Sequence, residues 1–137
     1  MHARDPRYAA YDVIGVGCRT VTRDEYTDPT AALEGNYESK SGAPGIGLVL
    51  EFGDVADANR FFELYRQQVR ACTGAAGSVR TTIVSETDGL VDRRTYPDSE
   101  WTEIARQSGS RITMIILTDP GHRISAAATR AILDQIA

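Results

Sequence analysis

The clearest pattern of apolar and polar positions in this chain predicts an amphipathic helix near its middle. Apolar residues recur there at helical spacing and form one stripe, namely Ala58, Phe62, Tyr65, Val69 and Cys72. Asp54 is a suitable N-cap, and Gly74 is a natural residue just beyond the C-terminal end. We therefore expect the stripe to face a sheet. The residues expected to face solvent are Arg60, Glu63, Gln67 and Arg70.

Short apolar segments separated by turn residues predict five strands around this helix. These segments are residues 46–52, 78–85, 90–96, 101–106 and 111–117. The turns between the last four are short, which favours an antiparallel meander. A second helix, capped by Asp119, is predicted to follow. Its inner face is expected to carry Ile124, Ala128, Ala131, Ile132 and either Gln135 or Ile136. The alanines would let the helix approach the sheet closely.

These elements predict one α+β domain over residues 1–137, with the order β-α-β-β-β-β-α. We expect an antiparallel sheet of about five strands with both main helices packed on one face. Residues 1–7 are polar and are expected to be disordered. Residues 18–45 have loop composition, in which the motif at 28–30 is expected to start one helical turn over 31–33.

Composition narrows the class of partner and leaves the compartment open. The net charge of −4 argues against nucleic-acid binding. No apolar run reaches the length of a membrane span, and the first twelve residues lack the apolar core of a signal peptide. The protein is then either cytoplasmic or the mature part of an extracytoplasmic precursor. Cys18 and Cys72 form a disulfide in the second case and stay reduced as small apolar side chains in the first.

Motifs for catalysis, cofactors or metals are weak. His2 and His122 are the two histidines, and neither has a second ligand at a metal-binding spacing. Cys72 lies on the apolar stripe at a helix end, which favours a disulfide or a buried thiol over a nucleophile paired with His122. We therefore expect no enzymatic activity, no metal and no cofactor.

Arginines form the most notable polar set. Arg93, Arg94, Arg106 and Arg111 lie on predicted neighbouring strands close to Trp101. Guanidinium groups that converge can bind a carboxylate or a phosphate, and the indole adds apolar area. Alternation along a strand also predicts that Arg93 and Arg94 point to opposite faces. These five residues are our candidate ligand-binding neighbourhood; the alternative is a solvated outer face paired with nearby glutamates.

The arrangement resembles the extracellular sensor domain of mycobacterial PknH-type serine/threonine kinases and related actinobacterial lipoproteins. The residues that carry the resemblance are Cys18, Tyr26, the segment 48–72 (LVLEFGDVADANRFFELYRQQVRAC), Trp101 and the strand at 111–117. The resemblance implies that the family's first disulfide maps onto Cys18 and Cys72. The family's second disulfide has no counterpart, because Thr102, Glu103 and Ile104 follow Trp101.

The resemblance implies a secreted or membrane-tethered, non-enzymatic sensor or ligand-binding domain. Its partner would be a small molecule or a component of the cell envelope, and any membrane attachment would come from a tether outside this chain. The alternative is a cytoplasmic α+β protein with reduced cysteines that binds a small ligand or another subunit.

Overall fold

The structure is a computed structural model that describes residues 1–15, 17–39, 42–74 and 77–136. Within these ranges it contains three α-helices and seven strands. The helices are α1 (Pro6–Ile14), α2 (Val55–Ala71) and α3 (Ala126–Gln135). The strands are β1 (His2–Arg4), β2 (Ala31–Glu38), β3 (Pro44–Glu51), β4 (Arg80–Ser85), β5 (Leu90–Thr95), β6 (Glu100–Ser108) and β7 (Arg111–Thr118).

All seven strands form one antiparallel sheet in the order β1-β2-β3-β7-β6-β5-β4. The last four strands follow one another as a meander, as the short turns predict. Strand β7 then pairs with β3, so that Leu50 lies opposite Ile112 and Leu48 opposite Met114. The α+β class is confirmed, with two strands and one helix more than expected.

Helices α1 and α2 cover one face of the sheet, which we call the front face. Asp54 caps α2 as predicted, since its Oδ1 accepts a hydrogen bond of 2.8 Å from the backbone N of Asp57. Phe62, Tyr65 and Val69 are buried against the sheet, which confirms the predicted inner stripe. The buried stripe is wider than expected, because the residue directly before each of these three is buried as well. These residues are Phe61, Leu64 and Gln68.

Helix α3 lies on the opposite face, which we call the back face, so the prediction that both main helices share one face is wrong. Leu133 packs there against Val91 and Ile104. Ser125, rather than Asp119, caps this helix, accepting a hydrogen bond of 3.0 Å from Ala128 N. The predicted inner face also needs correction. Thr129 and Leu133 are buried, whereas Ala128 and Ala131 are exposed and Ile124 and Ile132 are half-buried.

The N-terminal segment is ordered, in contrast to the expectation for residues 1–7. Strand β1 pairs with β2, and Asp5 caps α1 by accepting a hydrogen bond of 3.0 Å from Arg7 N. Arg4 holds this segment in place through two ion pairs of 2.7 Å, to Asp12 of α1 and Glu34 of β2. The single helical turn expected over 31–33 is also wrong. These residues belong to β2, which gains hydrogen-bonding partners on both edges.

The predicted disulfide is confirmed. Cys18 lies in the segment after α1, and Cys72 is the C-cap of α2, with 5.2 Å between their Cα atoms. Cys72 is completely buried and Cys18 is exposed. The bond therefore ties the connection between α1 and β2 to the end of the central helix.

Candidate functional site

An open cleft of about 490 Å³ lies on the front face. It is bounded by α1 on one side and by the C-terminal end of β5 and the N-terminal end of β6 on the other. Apolar side chains of the sheet form its floor, and these are Ile46, Leu48, Met114 and Ile116. Ala9 and Val13 of α1 contribute one wall, and Tyr96 and Trp101 contribute the other. Tyr65 of α2 closes the inner end. A concave, mainly apolar site of this size with a few polar groups is typical of small-molecule binding.

A buried polar cluster lies beneath the inner end of the cleft. The Tyr65 hydroxyl donates to Glu103 Oε1 at 2.8 Å and lies 3.2 Å from Asp92 Oδ1. Arg94 Nε lies 3.0 Å from Glu103 Oε1 and 3.4 Å from Asp92 Oδ2. The register explains this grouping, because Asp92 lies opposite Glu103 and both strands direct alternate side chains to the front face.

Burial and neighbouring charges shift the pKa values of Asp92, Tyr65 and Arg94. Removal from water raises the pKa of Asp92 well above its usual range, and the neighbouring Glu103 adds to the shift. Burial also raises the pKa of the Tyr65 hydroxyl, with further contributions from the two carboxylates. Burial alone lowers the pKa of Arg94, but the negative charges around it, Glu103 foremost, outweigh burial and raise it. Arg94 is therefore a permanent cation beside Glu103, with Asp92 biased towards its neutral form.

The outer rim of the cleft is polar on both sides. On the α1 side, the hydrogen bond to Asp12 is the main cause that raises the pKa of Arg4, and Glu34 adds to it. On the other side, Trp101 Nε1 donates to Ser99 Oγ at 2.9 Å. Asp98 is exposed next to this serine. The indole is therefore held in a fixed orientation at the rim of the cleft.

Two of the five predicted ligand-binding residues lie in this cleft. Arg94 and Trp101 line it together, on directly paired positions of β5 and β6. Arg93 points to the back face, as alternation predicts. There it donates to Thr102 Oγ1 at 2.7 Å and to the backbone oxygen of Ile124 at 2.5 Å.

The other two predicted arginines lie elsewhere. Arg106 is on the back face and donates to the backbone oxygen of Leu133 at 3.1 Å. Arg111 is at the start of β7 and pairs with Glu51 at 3.1 Å. The five side chains therefore do not form one neighbourhood, because strand register sends Arg93 and Arg106 to the face opposite Arg94.

Several residues that line the cleft were not identified from the sequence. Glu103 carried a signal, since it shares its strand face with Trp101 and the buried Ala105. A charged residue between two inward positions of a strand indicates a buried polar site. Arg4, Asp12 and Glu34 carried no local signal, because β1, α1 and β2 bring them together only through tertiary pairing.

Comparison with known proteins adds no relatives to this picture. No protein-family model matches the chain, and neither a curated protein nor a solved structure matches it significantly. Within residues 1–15, 17–39, 42–74 and 77–136, no group of three or more histidine, cysteine, aspartate or glutamate side chains is placed to hold a metal ion. None of the helices in these ranges is both long enough and apolar enough to cross a membrane.

Proposed function

We propose that this protein is a non-enzymatic, extracytoplasmic sensor or ligand-binding domain of the type found in PknH-like kinases and related lipoproteins. It takes a small molecule, free or as part of an envelope component, into the front-face cleft. The observation that carries this proposal is the cleft itself. It combines an apolar floor, an indole fixed by Ser99 and a few polar groups at defined positions.

The state of the polar groups supports binding rather than catalysis. A general acid or base must come within hydrogen-bond reach of the group it serves. Asp92, whose pKa is raised most clearly among the carboxylates here, has no exposed surface. Glu103 and Arg94 reach the cleft but are engaged with each other. This arrangement favours a structural role for the cluster, as the inner wall of a binding site, over a role in proton transfer.

The disulfide supports an extracytoplasmic location, because such bonds persist mainly in oxidising compartments. In the cytoplasmic alternative both thiols stay reduced. The redox state of Cys18 and Cys72 in the native cell distinguishes the extracytoplasmic location from the cytoplasmic one. Intact cells are quenched with acid, free thiols are alkylated with a mass tag, and the protein is weighed. We expect no tag on Cys18 or Cys72, and two tags would support the cytoplasmic alternative.

Binding in the cleft can be tested with a fragment screen followed by protein NMR. We expect several fragments to shift the resonances of cleft residues, above all the indole N–H of Trp101, the single tryptophan of the chain. Val13→Phe would fill part of the cleft and weaken the binding of these fragments. The matched control, Leu33→Phe, adds the same ring to an exposed position on the back face of β2.

The outcome of this screen decides the proposal. Loss of binding in Val13→Phe with retention in Leu33→Phe supports the cleft as the ligand site. Hits that map outside the cleft, or affinities that are equal in both variants, would contradict it.

A further inference from the structure

The charge of the cleft indicates which ligands it accepts, provided that the proposed function is correct. Four carboxylate residues and two arginines line it, so the lining has an excess of two negative charges. The carboxylates are Asp12, Glu34, Asp98 and Glu103, and the arginines are Arg4 and Arg94. This excess of negative charge is the opposite of what the sequence alone suggested, which was an arginine-rich site for an anion.

Both arginines of the cleft are already matched by carboxylates. Arg4 contacts Asp12 and Glu34 at 2.7 Å each, which leaves one negative charge in excess on that side. Arg94 contacts Glu103 at 3.0 Å and Asp92 at 3.4 Å. An anionic ligand would have to compete with these side chains for the guanidinium groups, and the remaining carboxylates would repel it.

The carboxylate of Glu103 lines the inner end of the cleft and holds Arg94 there. Its side chain is 9% exposed, so that it is largely desolvated while still lining the cleft. The contacts from Tyr65 and Arg94 both fall on Oε1. Glu103 therefore keeps a fixed position at the inner end of the cleft, in a region of low dielectric where its attraction for Arg94 is stronger than in water. The unmatched negative charge of the lining comes from the Arg4 side and from Asp98.

The aromatic wall has the complementary chemistry for a cation. Tyr96 and Trp101 line the cleft, and the exposed carboxylate of Asp98 lies in the same turn. The π face of an indole or phenol attracts an organic cation, most strongly where water is partly excluded. Next to this wall, the apolar floor of the cleft offers area for a hydrocarbon or aromatic body.

We propose that the cleft binds an organic cation, an amine or quaternary ammonium group attached to an apolar body. The cationic group lies against Trp101 and Tyr96 near Asp98 and Glu103, and the apolar body lies on Ile46, Leu48, Met114 and Ile116. The same arrangement discriminates against carboxylate and phosphate ligands.

Three probes that share one ring and differ in charge test this proposal. They are trimethyl(4-hydroxyphenyl)ammonium, its neutral isostere 4-tert-butylphenol, and the anion 4-hydroxybenzenesulfonate. Each is titrated to millimolar concentration while the indole N–H resonance of Trp101 is followed. We expect the cation to bind about tenfold more tightly than the neutral isostere, and the anion to bind most weakly. Added salt should weaken the binding of the cation and leave the affinity of the neutral probe unchanged.

The results separate this inference from the proposed function. If the neutral or anionic probe binds as tightly as the cation, the inference is overturned, while the cleft remains a ligand site. If none of the three probes shifts Trp101, the inference is overturned, and the fragment screen decides the proposed function independently.

A charge-matched pair of variants locates the effect. Asp98→Asn should lower the affinity of the cationic probe about threefold and leave the affinity of the neutral probe unchanged. The control, Asp134→Asn, removes the same charge from α3 on the back face and should change neither probe. Equal weakening in both variants would mean that net charge, and not the cleft, attracts the cation, and would overturn the proposal.

Discussion

Removing the disulfide has an effect that follows from the structure in some detail. Cys18 is exposed and Cys72 is fully buried, so Cys18→Ala breaks the bond while the Cys72 thiol keeps its packing. The two cysteines are 54 residues apart. Loop-closure entropy for that separation gives a loss of about 4 kcal/mol in the free energy of unfolding. This is an upper figure, because contacts in the denatured chain already restrict it.

The folded state should survive this change, because Gln68 holds the same segment independently. Its Nε2 donates to the backbone oxygens of Ile14 at 2.7 Å and Arg19 at 2.8 Å, and its Oε1 accepts from Arg19 N at 3.1 Å. Gly17 makes room for this side chain, since a Cβ there would lie 2.3 Å from Gln68 Oε1. The loss should therefore appear in stability, with the native circular dichroism spectrum retained.

Guanidinium unfolding followed by Trp101 fluorescence measures the loss directly. We expect Cys18→Ala to lose about 2–4 kcal/mol relative to the wild type. The control, Thr20→Ala, changes another exposed residue of the same segment and should lose less than about 0.5 kcal/mol. A loss below about 1 kcal/mol in Cys18→Ala would refute the reasoning. So would two reactive thiols in the unfolded, unreduced wild type.

Three further predictions concern the front-face core. Phe62→Ala should cost about 3–5 kcal/mol in denaturant titration, since this ring is 4% exposed; a loss below about 1 kcal/mol would mean that the helix face is misplaced. Tyr65→Phe should cost about 1.5–3 kcal/mol, because Glu103 and Asp92 lose a buried donor, whereas the exposed Tyr37→Phe should be nearly neutral by the same titration. The raised pKa of Asp92 means that the folded state keeps a proton that the unfolded chain releases. Its stabilising contribution is therefore complete below about pH 4 and is lost as the pH rises towards the folded-state pKa. Asp92→Asn should flatten this slope and raise stability at neutral pH, which midpoints measured between about pH 4 and 8 would check.

The central helix and the meander could be predicted because local and tertiary preferences agree there. Asp54, the apolar stripe and the short turns each indicate the same elements that the structure contains. Strand β2 could not be predicted, since its sequence AALEGNYE has few β-branched or aromatic residues. It is a strand because β1 and β3 pair with it on both edges.

The candidate site was only partly predictable for a related reason. Trp101 and Arg94 were identified, but assigning Arg93 and Arg106 to the same neighbourhood required a strand register that the sequence does not specify. The α1 wall of the cleft depends on Arg4, whose ion pairs join β1 to α1 and to β2, in which Glu34 lies 30 residues further along the chain. Such contacts leave no periodic signal in the sequence.

The central claim, that the front-face cleft is the ligand site, is tested most directly by soaking crystals of the protein with a fragment library. The account predicts that bound fragments recur in the cleft, with apolar atoms on Leu48 and Met114 and cationic groups near Trp101 and Glu103. Fragments that recur at another surface while the cleft stays unoccupied would contradict it.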